Sequence, residues 1–209
     1  MTALAMGSGL PRRPLLALAL FLVAATLSGC GVNTIPTLDE QAKAAWSEVL
    51  NQYQRRADLV PNLVETVRAY AAHEKDTLTA VTEARAKVAQ MQVPADILTN
   101  PEAFKAFQQN QSLLTQTLSR LLAVSERYPD LKANQNFLSL QSQLEGTENR
   151  IAVARRDYIE AVRQYNTELS TFPGRIWHSL LYSSSQPMAA FNITPAEMTT
   201  PKVEFGTKK

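Results

Sequence analysis

Between Gly31 and Gly174 the chain carries a single glycine, Gly146. Hairpin-built sheets need turn residues at positive φ, which glycine supplies most cheaply, so this stretch leaves little room for them. Helices need no such positions, and the apolar spacing points the same way. Trp46, Tyr53, Val60, Val67, Val81 and Val88 recur at seven-residue steps broken only at Glu74, with Val49, Leu63, Tyr70 and Ala84 in the alternate row. No segment sustains the alternation of a strand. The expected fold is all-α, an antiparallel up-and-down bundle of three long helices with a short C-terminal helix.

Punctuation places the helices. Thr37 and Glu40 stand at capping-box spacing, with Asp39 favouring the positive end of the helix dipole, so a first helix is expected from residue 38 to about Gln92. Pro61 lies inside it and donates no amide hydrogen to the Ala57 carbonyl. Either the helix kinks there or Asp58 caps a new segment, and the kink is the favoured reading. Asn100-Pro101 supplies a cap followed by proline at the first helical position. The second helix should run to about Arg127 and bury Phe104, Phe107, Leu114, Leu118 and Leu121. The third, from about Asn134 to Thr171, carries Phe137, Leu140, Leu144, Ile151, Ala154, Tyr158, Val162, Tyr165 and Leu169 on one face. Gly146 inside it costs about 1 kcal/mol relative to alanine unless close packing offsets that. Phe172-Pro173-Gly174 ends this helix, and Ile176, Trp177, Leu180 and Leu181 suit a short fourth one. Pro187, Pro195 and Pro201 mark the remaining segment as an extended or loose tail.

The N-terminus reads as an address. Arg12 and Arg13 precede an apolar run from Leu15 to Leu27, the order of a secretory signal. That run is shorter than the roughly 20 residues needed to cross a bilayer core. It ends in Leu27-Ser28-Gly29-Cys30, which looks like a bacterial lipobox, in which the cysteine is acylated and becomes the first mature residue. Cys30 is the only cysteine, so an intramolecular disulfide is excluded. Several acyl chains attach a protein stably where one is marginal. The expected division is therefore a signal peptide over 1–29, a lipidated tether over 30–37, a helical bundle over 38–172, and a short helix with an extended tail over 173–209. Arg12 and Arg13 are also the two excess cations, and without them acidic and basic residues balance. Such a balance does not advertise the basic face of a nucleic-acid-binding protein.

Three blocks resemble a known family. Ala45-Trp46-Ser47 is followed by the run Arg55-Arg56-Ala57-Asp58-Leu59-Val60-Pro61-Asn62-Leu63-Val64-Glu65-Thr66-Val67. Glu126-Arg127-Tyr128-Pro129-Asp130-Leu131-Lys132-Ala133-Asn134 comes next, with Phe137 beyond it. The third block is Glu148-Asn149-Arg150-Ile151-Ala152-Val153-Ala154-Arg155-Arg156, with Tyr165-Asn166-Thr167 and Phe172-Pro173 after it. In this order the blocks resemble the LemA family. The resemblance implies an all-helical, up-and-down bundle in an envelope-exposed protein of a family whose biochemical activity is not firmly established. Members often begin with a membrane-spanning helix, whereas this chain has a shorter leader ending at Cys30. Gly31 after the cysteine, in place of an aspartate, resembles an outer-membrane sorting pattern. The expected location is thus the bacterial envelope, facing the periplasm, with the outer membrane favoured.

Reactive groups are not assembled in the sequence. His73 and His178 lack the Glu three residues earlier that carboxylate-bridged di-metal bundles use, those positions holding Tyr70 and Arg175. His73-Glu74 does not extend to a His-Glu-x-x-His motif, and no glycine-rich phosphate loop or Gly-x-Ser-x-Gly elbow exists. Neither an enzyme nor a cofactor is expected. Tyr53, Tyr70, Tyr158 and Tyr165 fit core positions better than a ligand box. The polar clusters are Arg55-Arg56 with Asp58, and Glu148 with Arg150, Arg155 and Arg156. One reading makes them solvated faces or inter-helix salt bridges that set register. The functional reading makes Asp58, Asn62, Glu65, Asn149, Arg150 and Arg156 a polar patch that recognises a partner. The expected role is a lipid-anchored, non-enzymatic scaffold or adaptor binding other envelope proteins. The alternative is a carrier or sensor holding a lipid or amphipathic molecule between helices.

Overall fold

A computed structural model describes residues 31–191 of the chain, and among them the fold is helical throughout with no strand. The elements are α1 (Thr34–Tyr70), α2 (Lys75–Gln90), α3 (Pro101–Val124) with a 3-10 turn (Ser125–Arg127), α4 (Pro129–Lys132), α5 (Gln135–Ser170) and α6 (Gly174–Leu180). None of these helices is long and apolar enough to cross a membrane. Trp46 meets Tyr158 and Arg56 meets Glu148, so ten residues forward on α1 match ten backward on α5, and the pair is antiparallel. α3 runs parallel to α1, since Trp46 touches Phe107 while Arg56 reaches Gln111 and Thr115. The bundle is therefore up-and-down, as expected, but among the described residues it has four long helices rather than three.

The extra helix comes from a break at Ala71–Glu74, where the seven-residue row fails. Glu74 belongs to a corner: its carboxylate accepts from Arg127 Nη2 at 3.0 Å and from the Tyr128 hydroxyl at 3.1 Å. The chain reverses there, and α2 lies back along α1. α1 itself runs unsplit through Pro61. The carbonyl that Pro61 leaves without a helical donor, that of Ala57, accepts instead from Arg85 Nε of α2 at 3.3 Å. Asp58 caps no new segment; it is exposed and accepts from Gln54 Nε2 at 2.7 Å.

The other start signals divide. Asn100 Oδ1 accepts from Ala103 N at 3.1 Å and so caps α3 as its position implies, and Asn134, expected only as an approximate helix start, caps α5 by accepting from Phe137 N at 3.0 Å. Thr37 caps nothing. α1 already begins at Thr34, and the Thr37 hydroxyl donates to Asn33 O at 2.8 Å within the first turn. Ile35 is buried, so residues expected to be tether belong to the bundle.

The core has two halves. One is aromatic: Trp46 lies 5.5, 5.1 and 5.3 Å, centroid to centroid, from Phe104, Phe107 and Tyr158, with Val49, Tyr53, Ile151, Val162 and Leu169 around it. The other is aliphatic, built from Val60, Leu63, Val67, Val81, Leu114, Leu121 and Leu144 with Phe137. Burial of this apolar surface is the main stabilising contribution.

The segment after α6 is not a loose tail as far as Phe191. Met188 and Phe191 are buried in the aromatic half, and Phe191 sits 5.0 Å from Phe104. Asn166 grips the Met188 backbone from both sides, accepting from its N–H and donating to its carbonyl at 2.9 Å. Tyr158 donates to Ala189 O at 2.6 Å, and Ala189 N donates to Leu98 O at 2.6 Å. Burial also pushes the Tyr158 hydroxyl pKa well above its ordinary value. The strap forms because polar groups on α5 hold its backbone while its side chains fill the core. Pro195 and Pro201 lie outside the described residues.

Two glycines separate by what a side chain would meet. A Cβ on Gly146 would touch only the flexible end of Arg150, at 3.4 Å, so close packing does not offset its helix penalty. On Gly174 a Cβ would collide with the Glu168 backbone carbonyl. In urea unfolding, Gly146→Ala is expected to raise stability by about 0.5–1 kcal/mol. Gly174→Ala should lower it by about 1–3 kcal/mol, and equal effects of the two would refute this assignment.

Candidate functional site

Arg56 occupies the inward stripe of α1 between Tyr53 and Val60, where an apolar residue would continue the core. Only 1% of it is exposed. A buried cation is tolerated only when its donors are satisfied, and the planar guanidinium can satisfy several acceptors at once. Arg56 Nη1 donates to Thr115 Oγ1 at 2.7 Å and to Glu148 Oε1 at 2.9 Å. Nη2 donates to Gln111 Oε1 at 2.6 Å and to Gln111 O at 3.3 Å. The guanidinium carbon lies 5.0 Å from the centre of the Tyr53 ring. Its Nε is buried without a partner among the described residues. One side chain thus ties α1 to α3 and α5 in a polar layer between the two apolar halves.

Glu148 keeps 42% of its side chain exposed, so the layer opens to solvent on that side. The opening is a cleft of about 310 Å³ lined by Arg56 and Glu148. Gln108, Ser112 and Thr115 of α3 and Arg155 and Phe191 also line it. Arg155 is half-buried, with its guanidinium 4.5 Å from the centre of the Phe191 ring. Among the described residues it makes no ion pair or hydrogen bond, and its described electrostatic contact is with the Phe191 ring face. Chemically, the cleft is lined by the half-buried Arg155 cation, by neutral amides and hydroxyls, and by the partly solvated Glu148 carboxylate.

The six residues proposed from sequence as a partner-binding patch are all exposed. Their described side-chain contacts stay within their own helices. Asp58 engages Gln54, Glu65 engages Arg68, Arg150 Nε donates to Gly146 O at 3.2 Å, and Arg156 pairs with Asp157 at 3.3 Å. Asn149 borders a separate shallow depression beside Leu118, Leu122 and Glu145. Asn62 is exposed beside Pro61, and its backbone carbonyl accepts from the Thr66 hydroxyl. The bond that does join α1 to α5 is Arg56 to Glu148, the inter-helix salt bridge of the structural reading.

Gln111 and Thr115 were not singled out in the sequence. The signal was present, for Gln111 takes the seven-residue slot between Phe104 and Leu118, a buried amide in an apolar row. Tyr53, Tyr158 and Tyr165 are core residues, while Tyr70 is exposed and accepts from Asn134 Nδ2 at 2.9 Å. His178 Nε2 lies 3.0 Å from Ser185 O, His73 is exposed, and the described residues hold no cluster of three or more metal-ligating side chains. Cys30 lies outside the described residues. Arg56→Leu removes a cation around which two helices' acceptors are arranged. It is expected to cost about 3–5 kcal/mol in urea unfolding. Arg56→Lys should recover only part of that, because an ammonium cannot reproduce the fork; full recovery would contradict the geometry.

Comparison with known proteins places this architecture. The LemA family model matches residues 45–205. Magnetosome proteins MamQ 1 and MamQ 2 of Paramagnetospirillum magneticum are each 26% identical over 166 residues, covering 72% of this chain and 60% of theirs. Protein LemA of Metamycoplasma hominis is 27% identical over 119 residues, covering 57% of this chain and 50% of its own. The chain thus spans three fifths or less of the length of these relatives. With the family model covering most of the sequence, the chain belongs to the LemA family.

Proposed function

We propose that this protein is a lipid-anchored, non-enzymatic adaptor of the bacterial cell envelope, tethered through acylated Cys30 and facing the periplasm. Its cleft at Arg56, Glu148 and Arg155 receives a segment of another envelope protein. The observation that carries this reading is the Arg155 guanidinium, seated on Phe191 in the lining of a polar cleft and without an ion pair among the described residues. A half-desolvated cation that no carboxylate among the described residues neutralises is a ready partner for an acidic side chain or a chain-terminal carboxylate. The exposed Asn149, Arg150 and Arg156 share α5 with Arg155 and would widen the contact. Asp58, Asn62 and Glu65 would supply polar surface on α1. Gly31 after Cys30 favours the outer membrane as the site of anchoring.

The alternative, a lipid or amphipathic molecule carried between helices, finds less support. The aromatic side chains that suggested it pack against one another, and Phe191 of the strap fills the space beside Trp46 and Tyr158. The adaptor reading predicts a specific loss. With a photoreactive amino acid at position 108 of the full-length protein in cells, one envelope protein should be captured reproducibly. Arg155→Glu should reduce that capture about tenfold or more, as loss of a desolvated charge pair requires, and well beyond the loss in Arg155→Met, which controls for the removed contact with Phe191. Capture that is absent, or indifferent to Arg155→Glu, would refute the adaptor reading.

A further inference from the structure

The end of the bundle formed by α6 exposes more apolar surface than its core packing explains. Phe172 is 82% exposed, Leu180 70%, Leu181 60% and Ile176 45%. Ile176 and Leu180 are four residues apart and share a face of α6. That face is not needed by the core, because α6 packs inward through Gly174, which is buried, and Trp177, which lies against the aromatic half. The other large exposed apolar side chains, such as Leu113 and Val153, stand singly, whereas these four fall within ten residues.

Two further observations identify the occupant. The chain enters the bundle at this end: a Cβ on Gly31 would lie 3.7 Å from both Pro173 Cγ and Trp177 Nε1. Gly31 is thus held beside α6, and on the proposed reading the residue before it in sequence, Cys30, carries the lipid. Within the segment itself the charge is one-sided, although Glu168 packs against Gly174 and Asp39 and Glu40 of α1, both paired with Lys43, stand near this end. From Leu169 to Phe191 there is no Asp or Glu, while Arg175 is exposed and makes no ion pair among the described residues. Exposed apolar side chains beside an unpaired cation suit an interface of acyl chains and anionic headgroups.

We propose that α6 and its flanks, through Phe172, Ile176, Leu180 and Leu181 with Arg175, form a foot that inserts into the surface of an anionic phospholipid bilayer. It rests on the reading of Cys30 as the anchor, which brings the foot to the membrane. The foot fixes the orientation of the bundle, so α1 and α5 stand away from the surface instead of lying on it.

The test uses the full-length protein in membranes containing phosphatidylglycerol with a diazirine-bearing acyl chain, with mass spectrometry reading both Cys30 acylation and the photolabelled peptide. Acylated protein labelled within residues 172–181 is expected. Ile176→Ser combined with Leu180→Ser should reduce the label about tenfold while leaving acylation intact. Replacing phosphatidylglycerol by diazirine-bearing phosphatidylcholine should also weaken it. Acylated, membrane-retained protein with no label in 172–181 would overturn the foot and leave the anchor standing. Unacylated Cys30 would overturn the anchor reading on which the foot rests.

Discussion

A guanidinium removed from water has to be met by acceptors at defined positions, and Arg56 finds them on two other helices. Gln111 and Thr115 come from α3 and Glu148 from α5. Apolar faces can slide past one another by a helical turn and still bury similar area, but these hydrogen bonds cannot. The layer therefore fixes the vertical alignment of α1, α3 and α5. Once it is set, the aromatic half closes on one side of it and the aliphatic half on the other. The same layer creates the cleft, because Glu148 meets Arg56 at the edge of the bundle, where solvent reaches it.

Local signals in the sequence carried much of this. The asparagine cap at 100 and the buried faces of α3 and α5 follow from spacing and cap chemistry alone. Features decided by partners distant in sequence were not legible. Glu74 looked like one flaw in a helix, and it is a corner because Arg127 and Tyr128, more than fifty residues later, bind its carboxylate. Pro61 suggested a kink, or a new segment capped by Asp58; the helix runs on, and Arg85 supplies the donor it lacks. The prolines after α6 suggested a loose tail, yet Asn166 and Tyr158 bind the backbone near Met188. The polar layer was half visible: Arg56 and Glu148 stood out as charges, whereas Gln111 drew no notice as an uncharged residue in an apolar row.

The proposed adaptor and the proposed foot lie at different levels of one rod. Chain entry at Gly31 and the exposed apolar side chains of α6 mark one end. Arg56 lies 22 residues beyond the start of α1 at Thr34, which at 1.5 Å per residue is roughly 33 Å along the axis. In the proposed orientation the cleft stands about 30 Å from the membrane, a height suited to a partner that shares the envelope without sharing the bilayer. The geometry thus divides attachment from recognition along a single long helix.

Coupling across the polar layer is the claim on which this arrangement stands, and a double-mutant cycle measures it most directly. Unfolding free energies of the wild type, Arg56→Met, Glu148→Gln and the combined variant isolate the pairwise contribution. A coupling of about 1.5–3 kcal/mol is expected for a charge-assisted bond between a buried guanidinium and its carboxylate. Additive losses, with coupling near zero, would mean that the two side chains are neighbours without holding α1 and α5 in register.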